Sequence, residues 1–355
     1  MQKNTTYFTS LTGFRCFAAS LVFIYHNRKY WRNDLYPGII QFINEFHIGV
    51  SLFFVLSGFL ITYTYFDKPL SSVKAYRQYV LLRIFRLMPL YWLILLAYYL
   101  DPLFGNFRFS WLTFSLFHGF SNNLNLTGLA QAWSINVEMT FYILAPFLCI
   151  IFRKRTSYLI ASLILLFSVF FLIGQFWNHL DTKAFFYPVS FVIQNTFFGR
   201  SFQFLFGMGL AKMMLDENEY LEKLKFKTVI GFAGMIVSTV LISLFQKNIY
   251  SQGVDHPVGM MIHNFVLPFF ISIFLAGLIF EKTFIQKVFA SKIMVLLGNA
   301  SFAFYLIHIS YVNVKLKELF LLPDRNFIVL WLISIALYLL VEKPIYKLSR
   351  KLILS

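Results

Sequence analysis

Two polar residues interrupt the first apolar stretch of the chain, residues 11–26, which has the sequence LTGFRCFAASLVFIYH. Arg15 and His26 are eleven residues apart, which is roughly three helical turns and ends about 20° from the starting direction. The two side chains therefore share one stripe of a helix, about 16 Å apart along its axis. In a membrane such a pair points to function, although Arg15 could simply reach the headgroups and His26 the interface.

A second cluster of charge lies in the sequence RIFRLMPLYW, where Arg83 and Arg86 are three residues apart. Side chains at this spacing share a helix face, so the two guanidinium groups would form a cationic patch. Arginine forks match phosphate oxygens, which makes the patch a candidate phosphate site. The alternative is ordinary anchoring by positive charge at the cytoplasmic surface.

Glu138, in the sequence AWSINVEMTFY, is the acidic residue that we place well inside a membrane span. A carboxylate at that depth is costly unless it is paired. We therefore predict a functional or paired role for Glu138.

Further candidates are weaker. Ser301, Tyr305 and His308 are spaced four and three residues apart, so they would share one face of a helix. His308 could equally be a buried structural histidine that is hydrogen-bonded to a neighbour. His47 begins the second span, and Arg200 lies in the sixth as a candidate counter-ion or substrate clamp. No role is assigned to the histidines in or near the predicted external loops, which are His118, His179, His256 and His263.

Composition decides which elements can position these side chains. Of the 355 residues, 59% are hydrophobic and only 13% are charged, against about 25% charged residues in soluble domains. The pattern predicts an all-α, polytopic membrane bundle. The net charge of +16 then indicates topology and anionic lipid rather than nucleic acid as a partner.

We predict about ten membrane-spanning helices within one membrane domain, residues 1–355, with no fused soluble domain. The predicted spans are 10–26, 47–66, 79–100, 133–152, 157–176, 193–214, 228–245, 262–280, 293–314 and 326–341. The shorter apolar piece 109–120 predicts an interfacial or re-entrant helix. In the second span, Ser51, Ser57 and Gly58 offer small contact points for neighbouring helices.

Positive charge supports this topology. With both termini in the cytoplasm, the cytoplasmic segments hold 20 of the 31 Lys and Arg residues and the external segments hold nine. This excess follows the rule that cytoplasmic loops are positively charged. It places Arg15, Arg83 and Arg86 toward the cytoplasm, and His26, Glu138 and His308 toward the outside. Such an order suits an anionic cytoplasmic donor and an external acceptor whose hydroxyl a histidine deprotonates.

Several motifs in order along the chain resemble the membrane-bound acyltransferase 3 family. They are the R-x10-H of residues 15–26, GVSLFFVLSGFLI, the R-x-x-R of residues 83–86 followed by PLYW, AWSINVEMTFY, LGNASFAFYLIH and the closing VEKP. The resemblance implies transfer of an acyl group, usually acetyl, from cytoplasmic acyl-CoA to an extracytoplasmic acceptor. That acceptor is commonly a sugar hydroxyl of a surface glycan or its lipid-linked precursor.

By the same resemblance, His26 is the essential acid/base residue and Arg15 supports the site. Arg83 and Arg86 contact the acyl-CoA, Glu138 assists catalysis, and the enzyme lies in the cytoplasmic (inner) membrane of a bacterium. No metal is expected, because no metal-ligand motif is present. A transporter or flippase for an anionic solute is the alternative, although the internal repeats common in transporters are not obvious here.

Two positions depart from the family pattern. Met139 stands where a second glutamate often follows Glu138, and Ser51 stands where an aspartate often precedes LFFVLSGF. Some relatives carry a fused extracytoplasmic domain that resembles hydrolases. We expect any such transferase partner of this chain to be a separate protein.

Overall fold

The computed structural model describes residues 8–30, 36–67, 72–100, 110–177, 183–248, 251–320 and 323–355. Within these ranges the chain is helical and contains no strand. The α-helices are α1 Thr9–Asn27, α2 Pro37–Asn44, α3 Gly49–Tyr65, α4 Val73–Leu100, α5 Trp111–Phe114, α6 Ala132–Lys154, α7 Thr156–Trp177, α8 Val189–Asn195, α9 Phe197–Leu215, α10 Glu219–Lys223, α11 Lys227–Ser243, α12 Pro257–Met261, α13 Leu267–Phe280, α14 Phe284–Phe289, α15 Lys292–Ile307, α16 Tyr311–Phe320, α17 Pro323–Leu337 and α18 Lys343–Leu354. The prediction of an all-α chain is confirmed.

Six helical segments of the described chain are long and apolar enough to cross a membrane. They are Pro37–Tyr65, Val73–Leu100, Ala132–Lys154, Thr156–Trp177, Pro257–Phe280 and Arg325–Leu354. Lys227–Ser243 and Lys292–Ile307 are shorter apolar helices. Helix α1 has 19 residues, but Arg15 and His26 lower its mean hydropathy.

The predicted ninth span, 293–314, is not one continuous helix, because α15 ends at Ile307. Side chains satisfy the carbonyl groups at that end. Gln131 donates to Leu306, the Ser310 hydroxyl donates to Ile307 at 3.0 Å, and Asn313 donates to His308. Helix ends need such partners for their free carbonyls. His308 therefore lies in the turn directly after the helix rather than within it.

The predicted sixth span, 193–214, is also interrupted. Helix α8 ends at Asn195, and Thr196 is extended, with φ −117° and ψ 160°, before α9 begins. The Thr196 hydroxyl donates to the carbonyl of Val192 at 2.7 Å. A side chain that bonds back in this way competes with the continuing helix.

The predicted interfacial piece, 109–120, folds as two short helical turns rather than one helix. Helix α5 is followed by the 3₁₀ turn Phe117–Phe120, and Leu116 between them has a φ of 67°; residue 109 lies outside the described residues. His118 is completely buried in this segment, and its Nδ1 lies 3.3 Å from the carbonyl oxygen of Leu112. Burial lowers the pKa of His118 to about 4, so the ring is neutral at physiological pH.

The chain forms two compact units. Unit 1 comprises residues 1–64, 202–305 and 316–335, and unit 2 comprises residues 65–201, 306–315 and 336–355. The apolar core of unit 1 is built on buried side chains of α1, α3, α11 and α13, among them Phe14, Leu52, Met235 and Phe274.

Small residues let α3 and α9 approach closely in unit 1. A Cβ added at Gly58 would lie 2.2 Å from the backbone oxygen of Phe204, and one added at Gly207 would lie 2.0 Å from that of Val55. Small residues permit such backbone contact between membrane helices. The predicted contact at Gly58 is therefore confirmed.

We expect Gly207→Ala to destabilise unit 1, because the new methyl group meets fixed backbone. Overpacking of this kind typically costs about 1–3 kcal/mol. The matched control is Gly209→Ala two residues further along α9, where nothing lies within 4 Å. Thermal unfolding in detergent would show a lower midpoint for the first variant alone, and equal midpoints would contradict the close packing of α3 and α9.

A carboxylate holds the beginning of α11 in unit 1. Glu281, just after α13, accepts from the backbone amides of Lys227 and Thr228 at 2.7 and 2.9 Å and from the Thr228 hydroxyl at 2.6 Å. Burial opposes ionisation of Glu281, but these donors and the nearby Lys227 hold its pKa below the ordinary value of 4.5. An anion is also favoured at a helix N-terminus.

We expect Glu281→Gln to lower the stability of the protein by about 1 kcal/mol at neutral pH. Because the pKa of Glu281 is lower in the folded state than in the unfolded state, its contribution is complete above the ordinary value and is lost as the pH falls. The difference between wild type and variant should therefore shrink below pH 4.5. Unfolding midpoints measured across this range test it, and a constant difference would contradict the role of the charge.

Candidate active site

Helix α1 brings Arg15 and His26 into unit 1, and both side chains are half-buried. The Arg15 guanidinium carbon lies 5.9 Å from the ring centroid of Phe53 on α3. Phe53 in turn contacts the ring of Tyr305 at 6.2 Å. Arg15 and Tyr305, two predicted site residues, therefore contact the same phenyl ring.

Tyr25 links the predicted residues His26 and His47. Its ring centroid lies 4.7 Å from that of His26 and 5.6 Å from that of His47. Its hydroxyl accepts a hydrogen bond from Gln252. Tyr25 was not among the predicted site residues, although it directly precedes His26 in the sequence.

A buried carboxylate fixes the ring of His47. Glu45 is completely buried, and its Oε2 lies 3.0 Å from Nε2 of His47. Its Oε1 accepts from the amide of Gly253 at 2.7 Å and from Gln246 at 2.5 Å. A carboxylate that holds a histidine in one orientation is a recurring element of acid/base sites. Glu45 was also not among the predicted site residues.

His263, to which the sequence argument gave no role, belongs to the same cluster. Its ring centroid lies 5.5 Å from that of His47, and its Nε2 lies 3.0 Å from the hydroxyl of Ser51. It stands in a π-helical turn, Ile262–Val266, which leads into α13. Pro268 lacks the amide that would bond to the carbonyl of Asn264, so a regular α-helix is disfavoured here. A π-turn is often found at a functional site, and Pro268 was the sequence signal for it.

In unit 2, three tyrosine rings surround Arg83. Its guanidinium carbon lies 5.5, 5.4 and 5.6 Å from the ring centroids of Tyr65, Tyr79 and Tyr142. One guanidinium nitrogen donates to the hydroxyl of Tyr65 at 3.2 Å. The rings hold a planar cation in one orientation. Arg86 is half-buried one turn further along α4.

Glu138 lies on α6 in the same unit, and its Oε1 accepts a hydrogen bond from the hydroxyl of Tyr142. Tyr142 is four residues further along the helix, a spacing at which side chains meet. Glu138 therefore contacts the tyrosine that also packs on Arg83. The prediction that Glu138 is paired is consistent with this contact.

The remaining predicted residues are buried. Arg200, at the start of α9 in unit 2, donates from Nε to the carbonyl of Gln194 at 2.6 Å, and its guanidinium carbon lies 5.7 Å from the ring centroid of Trp133. His308 is completely buried in unit 2. Ser301, in unit 1, is also completely buried, and its hydroxyl has no hydrogen-bond partner within the described chain.

Met139 lines a cavity of about 1010 Å³ in unit 2. Helices α4, α6 and α7 contribute mostly apolar side chains to its wall, and Asn136 and Thr140 are among its few polar residues. A second glutamate at position 139 would direct a charge into this apolar space, which is unfavourable. The apolar cavity gives a physical reason for Met139 at this position.

The structure thus divides the predicted site residues between the units. Unit 1 holds Arg15, His26, His47, Ser301 and Tyr305, and unit 2 holds Arg83, Arg86, Glu138, Arg200 and His308. Among the residues that the structure describes, no group of three or more His, Cys, Asp or Glu side chains is placed to hold a metal ion.

Several bacterial proteins are similar to the chain. It is 24% identical over 347 residues to a protein of Staphylococcus aureus (strain COL) provisionally named an O-acetyltransferase, a match that covers 88% of this chain and 52% of that protein. It is 23% identical to the peptidoglycan O-acetyltransferase OatA of Listeria monocytogenes, with 86% and 50% covered. The chain therefore spans about half the length of these relatives. No solved structure was found to match it.

A family model adds the most extensive match. The acyltransferase domain of the acyltransferase 3 family matches residues 8–342, which include α1 with Arg15 and His26, the Arg83 and Arg86 pair, and Glu138. Because the match covers nearly the whole chain, this protein belongs to the acyltransferase 3 family.

Proposed function

We propose that the protein is an integral membrane O-acetyltransferase. It transfers an acetyl group from acyl-CoA, which binds at the cytoplasmic side, to a hydroxyl of an extracytoplasmic glycan or its lipid-linked precursor. The family match over residues 8–342 carries this proposal. The similarity to a peptidoglycan O-acetyltransferase supports acetyl as the group and a cell-wall glycan as the acceptor class.

In the proposed mechanism His26 is the general base. It removes the proton from the acceptor hydroxyl, whose oxygen attacks the acetyl carbonyl carbon, carried either by CoA itself or by an acyl-enzyme intermediate. The bond from that carbon to its carrier breaks, and the released carrier takes up a proton. Histidine suits this step because its pKa is ordinarily near neutral. Arg15, which lies on the same helix, supports the site, and the half-buried position of His26 leaves it accessible to an acceptor.

Arg83 and Arg86 are proposed to bind the phosphates of the donor. A guanidinium that is already oriented by three rings loses little freedom when it binds phosphate. Glu138 is proposed as a positioning residue, because its contact with Tyr142 fixes one of those rings. His47, Tyr305, Ser301, Arg200 and His308 are proposed as supporting residues.

The proposed topology has about ten spans, with both termini in the cytoplasm of a bacterium. The excess of Lys and Arg in the assigned cytoplasmic segments supports it. The six long apolar segments and the two shorter apolar helices are compatible with it, and α1 and α9 would bring the count to ten.

Proteoliposomes test donor, acceptor and sidedness together. Radiolabelled acetyl-CoA is sealed inside vesicles in which the cytoplasmic face points inward, and a cell-wall glycan extract is added outside. We expect label in ester linkage on the external glycan. Movement of an anionic solute across the membrane without any glycan ester would instead support a transporter.

A further inference from the structure

Ser51, His263 and Asn264 form a hydrogen-bonded series inside unit 1. The Ser51 hydroxyl lies 3.0 Å from Nε2 of His263, and Nδ1 of the same ring lies 3.2 Å from Oδ1 of Asn264. Ser51 is completely buried and His263 is 2% exposed. These distances fit a nucleophile, its base and a third group that orients the base.

Gln203 and Asn264 surround the second nitrogen of the His263 ring. The side-chain amide of Gln203 donates to Oδ1 of Asn264 at 3.0 Å and also lies 3.5 Å from Nδ1 of His263. In the neutral tautomer with its hydrogen on Nδ1, that nitrogen donates to Oδ1 of Asn264, and Nε2 holds a lone pair directed at the Ser51 hydroxyl. This is the tautomer in which His263 acts as a general base.

Two other buried serines of unit 1 bond within their own helices. The hydroxyls of Ser238 and Ser272 donate to the carbonyl four residues earlier in their own helices, at 2.7 and 3.0 Å. This is the usual local bond of a helical serine. Ser51 instead meets a histidine 212 residues away in sequence, at the one turn where that helix has π geometry.

From this geometry we infer that Ser51 is a covalent acetyl carrier, with His263 as its base and Asn264 as the residue that orients the base. The inference rests on the proposed acetyl-CoA-dependent function. It makes the reaction two successive transfers, first from CoA to Ser51 and then from Ser51 to the glycan hydroxyl.

In the first transfer His263 takes the hydroxyl proton of Ser51, and the serine oxygen forms a bond to the thioester carbonyl carbon. The carbon–sulfur bond breaks, and the CoA thiolate takes the proton from His263 and leaves as the thiol. In the second transfer the glycan hydroxyl gives its proton to His26, and its oxygen attacks the serine ester. The bond between the carbonyl carbon and the Ser51 oxygen breaks, that oxygen takes a proton from the medium, and His26 returns to the medium the proton that it removed.

The rings of His263, His47, Tyr25 and His26 are neighbours in unit 1, with centroid separations of 5.5, 5.6 and 4.7 Å in that order. Burial of Ser51 also excludes water, which protects the ester from hydrolysis until the acceptor binds. Acetylation requires the donor thioester to displace side chains that cover Ser51 in this structure.

The test uses the full chain reconstituted in lipid and supplied with radiolabelled acetyl-CoA but no acceptor, followed by an acid quench and mass mapping. We expect up to one acetyl group per chain, on Ser51, which glycan extract then removes. Ser51→Ala should carry none, and His263→Gln should slow acetylation by roughly 10²–10⁴-fold. Ser272→Ala, another buried serine of unit 1, is the matched control and should be acetylated like wild type.

Ser51→Cys keeps the proposal testable if the alanine variant does not fold. The cysteine should carry the acetyl group as a thioester, which neutral hydroxylamine cleaves. The inference is overturned if wild type transfers acetyl to glycan while no acetyl is found on Ser51 and Ser51→Ala keeps the wild-type rate. If folded wild type transfers no acetyl to glycan at all, the proposed function fails, and this inference with it. The two failures are therefore distinguishable.

Discussion

Replacement of His26 by alanine is expected to lower acetyl transfer to the glycan by roughly 10²–10⁴-fold, which is the usual contribution of a general base. The acceptor hydroxyl would keep its proton, and its oxygen would remain a poor nucleophile. Formation of the Ser51 ester should continue, because His263 serves that step. The variant should therefore release up to one CoA per chain in a first turnover and then stop.

The measurement is glycan ester formed per minute at saturating acetyl-CoA, together with the first-turnover yield of CoA. His256→Ala is the control, because its ring packs on Phe245 rather than on the His26 cluster. Undiminished transfer by a folded His26→Ala protein would contradict the role of His26. Loss of transfer in the His256 variant would show that any histidine change in this unit is damaging.

Replacement of Arg83 by alanine is expected to weaken use of acetyl-CoA by roughly 10–100-fold in kcat/KM, because charge-assisted bonds contribute about 1.5–3 kcal/mol. The loss should fall mainly on KM, since the donor phosphates do not react. Arg83→Lys should recover little of it, because an ammonium group cannot reproduce a planar fork held among three rings.

Kinetics at varied acetyl-CoA concentration separate KM from kcat. Arg77→Ala is the matched control, because Arg77 is an exposed arginine two turns earlier on the same helix. Equal kinetics for the Arg77 and Arg83 variants would remove Arg83 from donor binding. A Glu138→Gln variant that shifts KM in the same direction as Arg83→Ala would agree with a positioning role through Tyr142.

The sequence was informative where one local pattern decides the structure. The length of the apolar stretches predicted helices such as α6 and α7 to within a few residues, because a span needs about 20 apolar residues. The first apolar stretch likewise predicted one helix that contains both Arg15 and His26, as α1 does. The contact of Glu138 with Tyr142 could also be predicted from the sequence, since the two residues are four positions apart on one helix.

Other features depend on partners that are distant in sequence. The contact between Ser51 and His263 joins residues 212 apart, and Glu45 is held by Gly253 and Gln246, about 200 residues away. Helix α15 ends at Ile307, where side chains donate hydrogen bonds to its last carbonyl groups. One of these donors is Gln131, which is distant in sequence. No periodicity within a single span contains that information, so His263 was passed over and the ninth span was predicted too long.

The most direct test of the account is CoA release by the reconstituted wild-type protein supplied with acetyl-CoA, with and without a cell-wall glycan extract. The account predicts a first turnover of up to one CoA per chain without extract. It predicts continuous release with extract, in an amount equal to the glycan ester formed. A folded protein that neither binds acetyl-CoA nor releases CoA in the presence of acceptor would contradict an acyl-CoA-dependent acetyltransferase.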